Sequence, residues 1–215
     1  MSKVTIAGDV NGTGVFTIAA PNVNTNRTIT LPDATGTILT TAGVPASAMP
    51  AGSVLQVVQA IKTDSMAAAP GAFWTNVPGQ GGSGTFSATI TPSSALSKIL
   101  IMVDVKGAAS VDVSIMRIKL VRGSTTIYVG DAAGNRPQSL SQFYVASGAA
   151  TFHMAQFGGT FLDSPATTGS TTYALQFGGD NNTATLYINR TQSDRNQAYQ
   201  DSRVASSITL MEIAG

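Results

Sequence analysis

The chain has 215 residues, with twelve basic and eleven acidic side chains, one histidine, no cysteine and a formal net charge of +1. A charged fraction of 11%, against about 25% in ordinary soluble domains, leaves no concentrated basic face for nucleic acid. The absence of cysteine excludes disulfides, thiolate nucleophiles and zinc–thiolate sites.

Ser, Thr, Asn and Gln fill the place of the missing charges, beside 22 glycines. Glu212 is the only glutamate. Scarce Glu and Lys remove the favoured exposed helix formers, and abundant Thr, Val and Ile favour strands. The composition reads as all-β. Met1 to Thr5 carry no basic and apolar leader pattern, and no run approaches the ~18–20 apolar residues of a membrane span. The expectation is a soluble chain made in a cytoplasm, without membrane insertion.

Residues 1–43 form short alternating segments: Val4–Ile6, Val15–Ala19, Arg27–Leu31 and Thr37–Thr40. Turn signals separate them, the clearest being Pro32-Asp33-Ala34-Thr35-Gly36. There proline presets φ, Asp bonds its own backbone and Gly accepts positive φ. Strands this short bury little alone, so the module needs partners, most economically other copies of the chain. Residues 44–53, with Pro45 and Pro50 among small residues, read as an extended linker.

From 54 to 215 the pattern predicts a larger antiparallel β-sandwich, jelly-roll-like in its number of strands. Val54–Ile61 is a strand, and 63–83 a long loop holding Phe73 and Trp74. Thr85–Thr91 puts Phe86, Ala88 and Ile90 on one face. Lys98–Lys106 alternates Ile99, Ile101, Val103 and Val105, with Leu100 and Met102 on the other side, which predicts a central strand covered on both faces. Val113–Val121, Thr126–Val129, Phe152–Phe157, Thr171–Phe177, Ala184–Arg190 and Val204–Ile213 complete the set. No stretch carries a sustained helical stripe.

Several of these segments resemble tail fibres of tailed phages. The run Thr28-Ile29-Thr30-Leu31-Pro32-Asp33-Ala34-Thr35-Gly36-Thr37 is similar to a segment that recurs in such fibres. Gly52 to Gln59, Thr89 to Ser94 with Lys98 to Ile101, Leu162 to Pro165, and Ser207 to Ile213 resemble their tips. The resemblance implies a homotrimer on a threefold axis. Residues 1–43 would be a β shaft docking on other tail or head proteins of the virion, and 54–215 a knob binding a host surface glycan or protein. Many fibres carry a longer attachment domain than residues 1–43 provide, so a small accessory or head-attached appendage is also open.

Catalytic patterns are weak. His153, in Thr151-Phe152-His153-Met154, is the only histidine for a Ser–His–Asp triad or a zinc site, and no Gly-x-Ser-x-Gly elbow accompanies it. It reads as structural. Paired carboxylates could cleave glycans, but Asp9, Asp33, Asp131, Asp163, Asp180 and Asp194 lie mostly in turn sequences that favour Asp for local reasons. Gly130–Pro137 and Gly178–Asn182 put oxygen ligands near glycines, without the closing Glu of a calcium loop; both read as tight turns. Gly79–Gly84 lacks the Lys-Ser/Thr of a phosphate loop. The expectation is no enzyme, no metal and no cofactor.

Loop aromatics and their polar neighbours are the better lead. Trp74, Tyr144 and Tyr199 are candidates to stack on sugars, with Arg136, Arg195 and Asn196 to hydrogen-bond hydroxyls. For Trp74 the preferred alternative is pinning its loop to the core or a neighbour. The expected function is multivalent host attachment by a virion tail fibre. The rival readings are a head fibre or capsid decoration protein without receptor binding, and a glycan depolymerase.

Overall fold

The structure is a computed structural model that describes residues 44, 46–69, 74–110, 114–146, 148, 151–180 and 184–215, with scattered positions between 10 and 28. The strands expected before residue 41 fall largely outside the described residues, as does Phe73. The chain divides into two compact units, Met1–Leu39 and Thr40–Gly215.

Among the described residues, all twelve strands belong to the second unit: β1 (Val54–Lys62), β2 (Met66–Ala68), β3 (Thr75–Asn76), β4 (Ser87–Ile90), β5 (Lys98–Ala109), β6 (Ile115–Arg122), β7 (Thr125–Ile127), β8 (Ser141–Tyr144), β9 (Ala155–Asp163), β10 (Thr171–Gly178), β11 (Leu186–Ile188) and β12 (Ser206–Ile213). They build two six-stranded antiparallel sheets. The first runs β1-β12-β5-β11-β2, with β9 also paired to β5; the second runs β3-β10-β6-β7, with β4 on β10 and β8 on β6.

One core lies between the sheets, because alternation sends every second residue inward. Ile99, Ile101, Val103 and Val105 of β5 meet Ile208 and Leu210 of β12 on the first sheet's inner face. Met116, Ile118 and Leu120 of β6 and Tyr173, Leu175 and Phe177 of β10 supply the second. Phe86, Ala88 and Ile90 join the core as their alternation predicts. Gly107 marks a close approach: a Cβ there would lie 2.7 Å from the Met116 methyl and 2.9 Å from the Tyr187 carbonyl oxygen.

Two polar clusters lock the sandwich. Asp163 ends β9 in the first sheet and is 6% exposed. It accepts from Arg122 Nη1 at 2.9 and 2.8 Å and from the Tyr173 hydroxyl at 2.7 Å. Arg122 and Tyr173 are register partners in the second sheet, so the clamp spans both layers. Burial, and then the hydrogen bond to Asp163, raise the Tyr173 phenol well above its ordinary value. Glu212 is fully buried in β12 and accepts from Ser93 N at 2.7 Å, Ser93 Oγ at 2.6 Å and Gln56 Nε2 at 2.6 Å. Gln56 also donates to the Thr91 carbonyl at 2.7 Å. Burial pushes the Glu212 carboxyl up, but its donors outweigh that and hold it below the ordinary carboxylate range.

The structure departs from the sequence reading in local ways. The 63–83 segment, expected as loop, contains β2, β3 and a 3-10 turn at Gln80–Gly82. Part of the expected extended linker is a 3-10 turn at Ala46–Ala48, and Gly52 and Ser53 already bond to Ala214 at the end of β12. Strand β8 has no counterpart in the sequence reading, and the strand expected at Phe152 begins at Ala155. β5 is covered on one face only: Leu100 and Met102 remain half-buried on the other.

Candidate functional site

The segment from Arg190 to Arg203 connects β11 to β12 and carries charges of both signs. Arg190, Asp194, Arg195, Asp201 and Arg203 lie within it. Its base is fixed by Asn189, a fully buried residue at φ 62°, a left-handed conformation that Asn tolerates better than most residues. Asn189 Nδ2 donates to the carbonyls of Lys62 at 2.8 Å and Asp64 at 3.0 Å, and its Oδ1 accepts from Ser206 Oγ at 2.6 Å. The buried Lys62 ammonium donates to Asp64 at 2.8 Å and to the Gly79 carbonyl at 2.8 Å. The strand ends flanking the loop are therefore tied to the β1–β2 corner.

Two aspartates organise the loop from within. Asp201 accepts from the hydroxyls of Thr191 and Ser193 and from Arg195 Nε at 3.1 Å. Those bonds, the Ser193 and Thr191 hydroxyls first, hold its carboxyl far below the ordinary range. Asp194 accepts from Arg190 Nη1 at 2.9 Å and from Arg203 Nη2 at 2.8 Å. Arg203 also reaches Ser65 Oγ, and Arg195 reaches Gln200 Oε1. The guanidinium of Arg195 lies 4.5 Å from the Phe152 ring centre, and that of Arg190 lies 4.3 Å from Tyr187; both are cation–π geometries.

The result is an open groove of about 460 Å³, lined by Asp194, Arg195, Asn196, Gln197, Asp201 and Arg203 among others. Guanidinium donors, carboxylate acceptors and side-chain amides converge on it. Tyr199, 77% exposed, stands in the same loop. Such a lining suits a polyhydroxylated or amide-bearing ligand, which needs donors and acceptors of both kinds. It does not suit a large apolar ligand.

The expected contact residues divide. Arg195 and Asn196 line one groove, with Tyr199 on the same loop. The other three lie on different elements. Trp74 is half-buried, with Lys119 Nζ 4.6 Å from its ring centre; burial lowers the Lys119 pKa. Arg136 is exposed in the β7–β8 connection and donates to the Ala133 carbonyl at 3.2 Å. Tyr144 ends β8 opposite Ile115, in a strand rather than a loop. His153 is exposed and stacks on Phe143 at 4.6 Å between ring centres. Among the described residues no group of three or more His, Asp or Glu side chains is placed to hold a metal ion, and no helix is long and apolar enough to cross a membrane.

Sequence reasoning passed over Arg190, Arg203, Asp201 and Phe152, and read Asp194 only as a turn residue. Local charge density was the available signal: five charged side chains within fourteen residues of a chain that is 11% charged overall.

No protein-family model and no curated protein matches the chain. Among solved structures, a chain from "Structure of infectious bursal disease virus Gx strain" is similar at a TM-score of 0.36 and 13% identity, over 74% of this chain and 40% of that one. This chain thus spans less than half the length of that neighbour.

Proposed function

We propose that the chain is a virion structural protein, a homotrimeric tail fibre of a tailed phage. Its second unit attaches the particle to a host surface glycan or protein by many weak contacts, and residues 1–43 join it to the virion. The observation that carries this reading is the Arg190–Arg203 groove: a polar, open, internally braced site on a two-sheet sandwich, in a loop that also carries an exposed tyrosine. Braced donors and acceptors lose little entropy when a ligand docks. Each site is shallow and weak alone, and repetition within a trimer and across a virion multiplies it through effective concentration. The recurring fibre-like segments support the same reading.

The test is adsorption of fluorescently labelled protein to a panel of bacterial strains, each left intact, oxidised with periodate or treated with protease. The reading expects saturable binding to at least one strain. Loss after periodate assigns a glycan receptor, and loss after protease a protein one. No binding across a panel that includes hosts of related phages would overturn the adhesive role.

A further inference from the structure

The groove between Arg190 and Arg203 does not offer its two signs of charge equally. Three guanidiniums stand in this segment against two carboxylates. Both carboxylates are already engaged from within. Asp201, whose side chain is 4% exposed, takes the Thr191 and Ser193 hydroxyls on one oxygen. Its other oxygen takes Arg195 N at 3.3 Å and Arg195 Nε at 3.1 Å. A carboxylate has about four lone-pair positions, so Asp201 keeps none for a ligand. Asp194 takes Arg190 Nη1 at 2.9 Å and Arg203 Nη2 at 2.8 Å on one oxygen, and Arg203 Nη2 at 2.7 Å on the other. The cations are in the reverse situation. The side chains of Arg203 and Arg195 are 59% and 37% exposed. Among the described residues, Arg203 Nε and Arg195 Nη1 donate to no acceptor. The Lys62–Asp64 pair, at the corner to which the loop is tied, adds no net charge.

We propose that the groove takes an acidic saccharide, one that sets a carboxylate or phosphate oxyanion against Arg195 and Arg203. The inference rests on the reading of this groove as the recognition site and adds the charge of what it recognises. A guanidinium with N–H groups to spare binds an oxyanion more strongly than a hydroxyl, because the hydrogen bond is then ionic at both ends. The one guanidinium in excess of the carboxylates matches one negative charge, and the same excess disfavours a cationic ligand.

The rest of the lining selects a sugar as the carrier of that charge. Asn196, Gln197 and Ser202 offer donors and acceptors to hydroxyls, and Ala198 supplies the apolar part. An acidic peptide, with apolar side chains to place, finds little there. The groove is open to water, so the anionic group is expected to contribute on the order of tenfold in affinity, not thousands.

The experiment measures retention of the full chain on an array of bacterial surface glycans, neutral and acidic, with polyglutamate as a peptide control. Each acidic glycan is spotted in native form, after reduction of its carboxyls to alcohols and after removal of its phosphates. Retention is expected on acidic glycans, falling about tenfold or more after one of the two treatments, which names the oxyanion. Asn196 is exposed in the same groove, so Asn196→Asp adds a negative charge with almost no change of shape, and Asn196→Lys is its counterpart of opposite sign. Circular dichroism checks that both fold. The aspartate is expected to lower retention about tenfold or more and the lysine to preserve it. Equal retention of neutral glycans, no loss after either treatment, or equal losses in the two variants overturns the acidic assignment and leaves the groove a recognition site. Retention of polyglutamate at the level of the acidic glycans overturns the saccharide assignment. Retention of no glycan overturns this inference together with the reading it rests on.

Discussion

The clamp at Asp163 and the pair formed by Asp194 and Arg203 both hold an aspartate against a guanidinium, and they differ in how far water reaches them. Asp163 is 6% exposed and bonds a fully buried tyrosine across two sheets. Asp194 pairs with Arg203, whose side chain is 59% exposed, within one connection on the surface. A buried pair that loses one partner leaves an uncompensated charge and an orphaned hydroxyl. An exposed pair that loses one partner is rescued by water. Similar ion pairs therefore hold the fold in one region and shape a surface loop in the other, and burial decides which.

Mutation can break or sharpen that contrast. The largest effect is expected from Asp163→Ala, which strands Arg122 and the Tyr173 hydroxyl and should cost about 3 kcal/mol in urea unfolding. A loss under ~1 kcal/mol would remove the distinction between the two regions. Glu212→Gln comes next, at about 2 kcal/mol, because one carboxylate serves three donors from two other segments. Its pKa is depressed in the folded state, so the ionised carboxylate stabilises the fold fully above the ordinary carboxylate range. That stability is lost as pH falls through that range toward the lower folded value. Unfolding midpoints measured from about pH 7 downward should show this acid slope in the wild type and less of it in Glu212→Gln.

Loop variants should behave differently. Arg203→Ala is expected to change stability by less than about 1 kcal/mol while weakening adsorption to the strain the wild type binds. A loop variant that unfolds the protein would make the groove structural after all. The smallest effect belongs to an exposed hydroxyl on the second sheet: Thr172→Lys on β10 should change stability by no more than about 0.5 kcal/mol in urea unfolding. A larger loss there would show that the Thr89–Thr172 hydroxyl pair carries structural weight despite its exposure.

Much of the sandwich was legible because alternation is a local signal. Ile99 to Val105 and Tyr173 to Phe177 alternate in the sequence as they do in the structure. The strands that escaped, β2, β3 and β8, are two to four residues long and exist through their partners rather than their own pattern. The half-buried face of β5 escaped for a related reason: Leu100 and Met102 show apolar character in the sequence, but apolar character alone does not supply a layer to cover them. Clamps were invisible because Asp163 meets a residue 41 positions away and Glu212 one 119 away. Of the candidate site, Arg195 and Asn196 share one groove and Tyr199 one loop with them because they are neighbours in sequence. Trp74, Arg136 and Tyr144 share only residue type with them, and the fold gives each a separate setting.

The most direct test of the central claim is binding to an array of immobilised bacterial surface glycans, comparing wild type with Arg195→Ala and Asn196→Ala, each verified as folded. If the groove is the recognition site, the wild type is retained on a defined subset and both variants lose about tenfold or more of that signal, a difference near ~1.4 kcal/mol. Equal retention of the variants, or a wild type that binds nothing on an array covering its host's glycans, would contradict it.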